Sequence, residues 1–202
     1  MISVYNIKPK FQQLLRPVLE VLHKIGFTAN GITWSGIILS AIGGAAFWFH
    51  PYGYMLAVIP AVLFVRMAIN ALDGMMARTY NQQSKGGEML NELGDVFSDL
   101  FLFIPLIQLH KINGLTLLAF ILLSVINEFA GVMGKVIGGE RRYDGPMGKS
   151  DRALLLGLFC LIAYFKAEVL NYGTYVFVGA SALLVLSTTI RIYKSLKSSK
   201  HE

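Results

Sequence analysis

Residues 25–65 contain no Asp, Glu, Lys or Arg. A charge-free run of that length is enough for two bilayer-spanning helices of about 20 residues each, and His50-Pro51-Tyr52-Gly53 supplies the turn between them. The pattern predicts a first span over about 31–49, with N-cap chemistry in Thr28-Ala29-Asn30. A second span is predicted over about 55–77, and it carries Arg66, Asn70 and Asp73. A polar loop at 79–87 then leads to a third span over about 88–109, and further apolar segments predict spans at about 115–137, 153–165 and 170–190. Ahead of them, residues 4–26 place Ile7, Phe11, Leu14, Leu15, Val18, Leu22 and Ile25 in one helical stripe, with Lys8, Lys10, Gln12, Arg16 and Lys24 mostly elsewhere. That is the pattern of a helix lying in the membrane interface with its bases toward anionic headgroups, kinked or restarted at Pro17. The fold class expected is all-α: an N-terminal amphipathic interfacial helix (1–27), a six-helix transmembrane domain (28–190) and a basic cytoplasmic tail (191–202).

Composition agrees with a polytopic membrane domain. The 202 residues are 54% hydrophobic and 15% charged, with a mean hydropathy of +0.56, too apolar for a soluble domain. The net charge of +6 reads as cytoplasmic-leaflet bias and not as nucleic-acid binding. Lys and Arg gather in the N-terminal segment, the 78–85 loop, the 135–152 stretch and the tail, whereas Lys111 and Lys166 stand alone on the other side. The positive-inside rule then puts both termini on the cytoplasmic side of a bacterial inner or plasma membrane. The single cysteine, Cys160, excludes an intrachain disulfide and reads as inert packing. Gly36, Gly43 and Gly44 would let helix backbones approach closely.

The candidate chemistry lies in the polar residues inside the second and third spans. At about 100° per residue, Glu88, Asn91, Glu92, Asp95 and Asp99 fall within one face about 100° wide. Asn70, Asp73 and Ala77 share a face of the preceding helix, with Gly74 beside them. A carboxylate deep in a bilayer costs about 2.5–3.5 kcal/mol on insertion scales, so such a cluster needs a compensating partner. A hard cation, which prefers carboxylate and amide oxygens, would serve.

The same residues resemble the signature of the CDP-alcohol phosphatidyltransferases, D-x2-D-G-x2-A-R-x8-G-x3-D-x3-D. Asp73, Gly74, Ala77, Arg78, Gly87 and Asp95 match, while Asn70 and Asn91 stand where the first and third acids belong. Thr28-Ala29-Asn30-Gly31-Ile32-Thr33 is similar to the family's Pro-Asn-x-x-Thr, and Gly148-Lys149 matches its Gly-Lys pair before the fifth span. The resemblance implies a transferase that moves a phosphatidyl group from a CDP-linked lipid donor, such as CDP-diacylglycerol, to the hydroxyl of a small alcohol, releasing CMP on the cytoplasmic side. It implies Mg²⁺ or Mn²⁺ held by Asn70, Asp73, Asn91 and Asp95, with Asp99 as a stand-in ligand or neighbouring acid. Asp95 is the implied catalytic base, and Gly74, Ala77, Arg78, Gly87 and Thr33 would meet the CDP group. Arg141, Arg142 and Lys149 would meet the acceptor, for instance through a phosphate on it, although a charged loop that only sets topology explains the first two equally well. A homodimer in the lipid bilayer completes the expectation. Two rival readings stand beside it: a family member altered at its two amides and kept for lipid or nucleotide binding, and a cation- or proton-coupled transporter using its intramembrane acids.

Overall fold

A computed structural model describes residues 8–198, so Ile7 and the rest of residues 1–7, like the tail end 199–202, lie outside the described residues. The described chain is all-helical: α1 (Lys8–Lys24), α2 (Ala29–Phe49), α3 (Met55–Thr79), α4 (Lys85–Phe103), α5 (Gly114–Val136), α6 (Lys149–Phe165) and α7 (Gly173–Ser198), with 3-10 segments at Ile104–Gln108 and Ala167–Tyr172. Four stretches are long and apolar enough to cross a membrane: Ala29–Phe49, Met55–Thr79, Gly114–Val136 and Ala167–Ser198. The six spans expected from the pattern are thus four by length and composition. The other two helices fall short for a physical reason: α4 has 19 residues and carries Glu88, Glu92, Asp95 and Asp99, and α6 has 17 and opens on Lys149, Asp151 and Arg152.

Local signals set the helix starts. The hydroxyl of Thr28 accepts a hydrogen bond from the Gly31 N–H (3.1 Å) and that of Ser84 from the Gly87 N–H (3.0 Å), while Asn113 Oδ1 accepts from the Thr116 N–H (3.0 Å). Each such cap is worth about 1 kcal/mol. α4 ends at Phe103, short of the expected 109, where Pro105 near the start of Ile104–Gln108 removes an N–H and the chain tightens into a 3-10 segment.

α2 packs between α3 and α4 through the predicted glycines. A Cβ at Gly44 would stand 2.0 Å from the Phe101 carbonyl oxygen of α4, and one at Gly43 would stand 3.0 Å from Val62 of α3. No side chain fits at position 44 without moving a backbone, so this contact fixes how closely α2 and α4 approach. A second core joins α4 through α7 by a run of phenyl rings: Phe103–Phe120, Phe120–Phe177 and Phe159–Phe177, with centroids 5.5, 5.1 and 5.4 Å apart. Cys160 is buried within this same apolar cluster.

The N-terminal helix differs from the expected stripe. Leu19, outside that stripe, is its most buried residue (2% exposed) and packs with Leu15 and Leu22 against Ala29, Ile32, Leu72 and Met76. The His23 ring stacks on Tyr80 at the end of α3, centroids 3.5 Å apart. Leu14, Val18, Val21 and Ile25 stay exposed, forming an apolar edge beside the packed one. The helix is continuous through Pro17. At the other end, α7 continues eight residues beyond the expected 190, to Ser198, because Arg191 and Ser195 are buried against α5 and the loop between α5 and α6.

Candidate active site

Four helices bring the signature residues together. Asp73 on α3 is 3% exposed; its Oδ2 accepts a hydrogen bond from Thr33 of α2 (3.0 Å) and its Oδ1 from the Gly74 N–H (2.6 Å). One turn earlier on α3, the Asn70 side-chain amide donates to Asp95 Oδ1 of α4 (2.8 Å). The other oxygen of Asp95 takes the Lys149 ammonium of α6. Arg66 Nη2 donates to the Asp95 main-chain carbonyl (3.1 Å). An amide at position 70 therefore acts as a donor across the helix pair, where two carboxylates would repel.

Beside Asp73 opens a cavity of about 650 Å³ between the N-terminal ends of α2 and α4 and the C-terminal end of α3. Thr33, Asp73, Gly74, Ala77, Arg78, Gly87 and Asn91 line it, together with Asn30, Gln82, Lys85 and Glu88. Gly74 leaves room for its neighbour: the Arg78 guanidinium lies where a Cβ at 74 would be 3.2 Å away. Gly87 sits under Asn30, whose Oδ1 would be 2.8 Å from a Cβ, so this glycine serves helix approach as well as space for a ligand. Among the described residues Arg78 and Lys85 have no carboxylate partner, which leaves two cations facing the cavity. Gln82, which accepts the Ala29 N–H (2.7 Å) and ties the loop to α2, and Lys85 were not singled out from sequence; both lie inside the spacer between Arg78 and Gly87.

The remaining predicted residues stand outside the cavity in a buried charge network. Asp99, expected as a stand-in metal ligand, meets Arg66 Nη1 (2.7 Å) through one oxygen and Arg152 Nη2 (2.7 Å) through the other. Arg152, fully buried, also donates to Glu128 (3.0 Å) and to the Met147 carbonyl (3.1 Å). Arg141 and Arg142, expected toward the acceptor, are committed elsewhere. Arg141 binds Glu92 (2.7 Å) and Glu128 (2.8 Å) and lies over the Tyr143 ring, and Arg142 reaches Ser198 of α7 (2.7 Å). Burial works against the Arg141 charge, yet the Glu92 hydrogen bond and the charges of Glu92 and Glu128 outweigh it and raise its pKa. In the same loop, Asp144 is held below the usual carboxylate range, chiefly by its hydrogen bond from Lys194.

A helical membrane bundle with this carboxylate-and-amide pair on adjacent helices, a Thr bracing the first acid and a cation-lined cavity beside it has the make-up of a lipid-modifying transferase. The family model of the CDP-alcohol phosphatidyltransferases matches residues 27–191, and the chain belongs to that family. It is 40% identical over 183 residues, 91% of each chain, to the inner membrane protein YnbA of Escherichia coli. It is 33% identical over 94 residues to the archaetidylinositol phosphate synthase of Pyrococcus horikoshii, 46% of this chain and 48% of that one. Its fold is that of Mycobacterium tuberculosis phosphatidylinositol phosphate synthase (PgsA1). The structure with CDP-DAG bound matches with a TM-score of 0.77 over 91% of this chain and 94% of that one. The complex with manganese and citrate matches with a TM-score of 0.74 over 88% of each, and both are 18% identical.

Proposed function

We propose that this chain transfers a phosphatidyl group from a CDP-linked lipid donor such as CDP-diacylglycerol to the hydroxyl of a small alcohol, with release of CMP. The observation that carries the reading is the placement of Asp73 and Asp95, the two signature acids present, at adjoining turns of α3 and α4, with Asp73 on the wall of a cavity it shares with Arg78, which has no carboxylate partner among the described residues.

The donor set suits Mg²⁺ or Mn²⁺: carboxylates at Asp73 and Asp95 and amides at Asn70 and Asn91 offer oxygen and no sulfur or imidazole. Among the described residues no three His, Cys, Asp or Glu form a metal cluster, as two amides among four positions require. We do not assign Asp99 to the ion, since both of its oxygens meet arginines. When bound, the ion offsets pyrophosphate charge and orients the phosphorus for in-line attack. Thr33 fixes the orientation of Asp73 through its hydrogen bond. Arg78 meets the phosphates of the donor from the cavity wall. Asp95 receives the proton of the acceptor hydroxyl as its oxygen forms a bond to the phosphatidyl phosphorus and the bond to CMP breaks. Lys149 and Asn70 hold Asp95 in position until the acceptor arrives. Purified protein given CDP-diacylglycerol, Mg²⁺ or Mn²⁺ and a panel of alcohols should release CMP and form a phosphatidyl-alcohol seen by mass spectrometry. No CMP with any alcohol would reject the reading.

The proposal includes both termini, and the cavity, on the cytoplasmic side, supported by the segregation of Lys and Arg. Reporters fused after Asn81, Tyr143 and His201 should behave as cytoplasmic, and one after Tyr52 as external. An inverted pattern at Tyr52 and Tyr143 would overturn this orientation.

A second expectation follows from the amides. Restoring a carboxylate with Asn91→Asp should lower the metal concentration for half-maximal activity about tenfold. The gain would come from a charge interaction of about 4 kcal/mol at 4 Å and an effective dielectric of 20, reduced by desolvation. Thermal stabilisation by Mn²⁺ should rise in parallel. A variant whose metal response equals that of the wild type would place Asn91 away from the ion.

A further inference from the structure

Glu128, in the middle of α5, is 5% exposed and receives three guanidiniums from three different segments. Arg141 of the loop after α5 is at 2.8 Å, Arg152 of α6 at 3.0 Å and Arg191 of α7 at 3.8 Å. Several arginine forks converging out of water on one oxyanion make the kind of site that holds a phosphate. Here the chain supplies the anion itself. Further donors of these side chains are engaged as well, Arg152 with Asp99, Arg141 with Glu92, and Arg191 with the carbonyls of Asn127 (2.6 Å) and Asp144 (3.1 Å), while Arg141 Nη1 is buried without a hydrogen-bond partner. Between this cluster and Asp95, Arg66 bridges Asp95 and Asp99, and Lys149 sits on Asp95.

An acceptor whose hydroxyl comes to Asp95 therefore meets a basic region whose charges are already paired. A phosphate on that acceptor, carrying about two negative charges, would crowd four carboxylates and force a buried pair apart. From this geometry we infer that Glu128 stands where an acceptor phosphate would otherwise bind, and that the acceptor is an alcohol without a phosphate group. The inference rests on the transferase reading above and makes Glu128 a specificity-determining residue.

Two measurements test it. In the first, inorganic phosphate is titrated against the full-length protein in detergent and thermal unfolding is followed. With Arg78→Ala and Lys85→Ala removing the two cations that face the donor cavity, the protein should show no stabilisation, whereas the same protein carrying Glu128→Ala, with three arginines released from their carboxylate, should bind phosphate at least about tenfold more tightly. Should Glu128→Ala fail to fold, Glu128→Gln, which removes the charge and keeps the shape, is read the same way. In the second, CMP release is compared for matched acceptors, glycerol against glycerol 3-phosphate and inositol against inositol phosphate. The wild type should use the unphosphorylated member of a pair, and the Glu128 variant should shift toward the phosphorylated one. Phosphate stabilisation that persists with Glu128 intact once Arg78 and Lys85 are alanine, a wild-type preference for phosphorylated acceptors, or a folded Glu128 variant indifferent to phosphate would each overturn the inference. CMP release with no acceptor at all would overturn the transferase reading and the acceptor assignment with it, while the phosphate titration, which needs no turnover, still decides the role of Glu128.

Discussion

Asp73→Asn and Asp95→Asn should each cut CMP release by at least about 10²–10³-fold, the loss usual when a preorganised charged group at a reacting centre is removed. Both substitutions keep the side-chain shape. At position 73 an amide can still accept one of the two hydrogen bonds that Thr33 and Gly74 now donate, so the α2–α3 contact survives. At position 95 the change removes the proton acceptor and the charge facing Lys149 while leaving the Asn70 contact able to reform. Asn70 and Asn91 already lack charge, so each variant is left with a single signature carboxylate. The check is CMP release at saturating Mg²⁺ or Mn²⁺, with a monodisperse elution profile as the control for folding. Wild-type rates in both variants would reject the site.

The largest effect on stability is expected at Arg152. Its guanidinium is fully buried and holds Asp99, Glu128 and the Met147 carbonyl at once. Arg152→Gln leaves two buried carboxylates short of their principal partner, and removing one member of such a network costs about 3–5 kcal/mol. Arg152→Lys should recover only part, because an ammonium cannot reproduce the planar fork that reaches both acids. Unfolding followed by denaturant or heat in detergent gives the measurement. A glutamine variant within about 1 kcal/mol of wild type, the scale of an ordinary surface substitution, would mean that the network does not support the fold.

The helix pattern was largely legible because it rests on local rules. The charge-free stretch marked α2 and the start of α3, Thr28 marked the α2 cap, and the 100° period put Glu88, Asn91, Glu92, Asp95 and Asp99 on one face of α4. The pairing of charges was not legible, because it depends on which segments meet. Nothing local says which base takes which acid: Arg66 binds Asp95 and Asp99, while Glu128 is taken by arginines from positions 141, 152 and 191. The loop carrying Arg141 and Arg142 folds back on α5 at Gly131 and Gly134, where a Cβ would meet the Arg142 and Glu140 carbonyl oxygens at 2.6 and 2.8 Å. Two glycines in the last turns of a helix carry no local sign of this role; only the tertiary contact shows that they seat the loop. Leu19 escaped for a related reason. Leu15, Leu19 and Leu22 and Leu14, Val18, Val21 and Ile25 are both helical stripes, and periodicity does not say which one finds a protein partner.

The order of the charged partners along the chain sets a problem for biosynthesis. When α4 leaves the ribosome, Arg66 is the only one of its basic partners already made, 29 residues before Asp95. Arg141, Lys149 and Arg152 follow their acids by 49, 54 and 53 residues. At about 5–20 residues per second that is a wait of roughly 3–10 s. During this interval Glu92, Asp95 and Asp99 are too costly to release into lipid unaccompanied. The insertion machinery must therefore retain α4 beside α3, or let it dwell at the interface, until α6 emerges. Membrane integration of this protein is thus expected to be a delayed, paired event rather than a helix-by-helix one, and a ribosome stalled before residue 149 should leave α4 open to extraction.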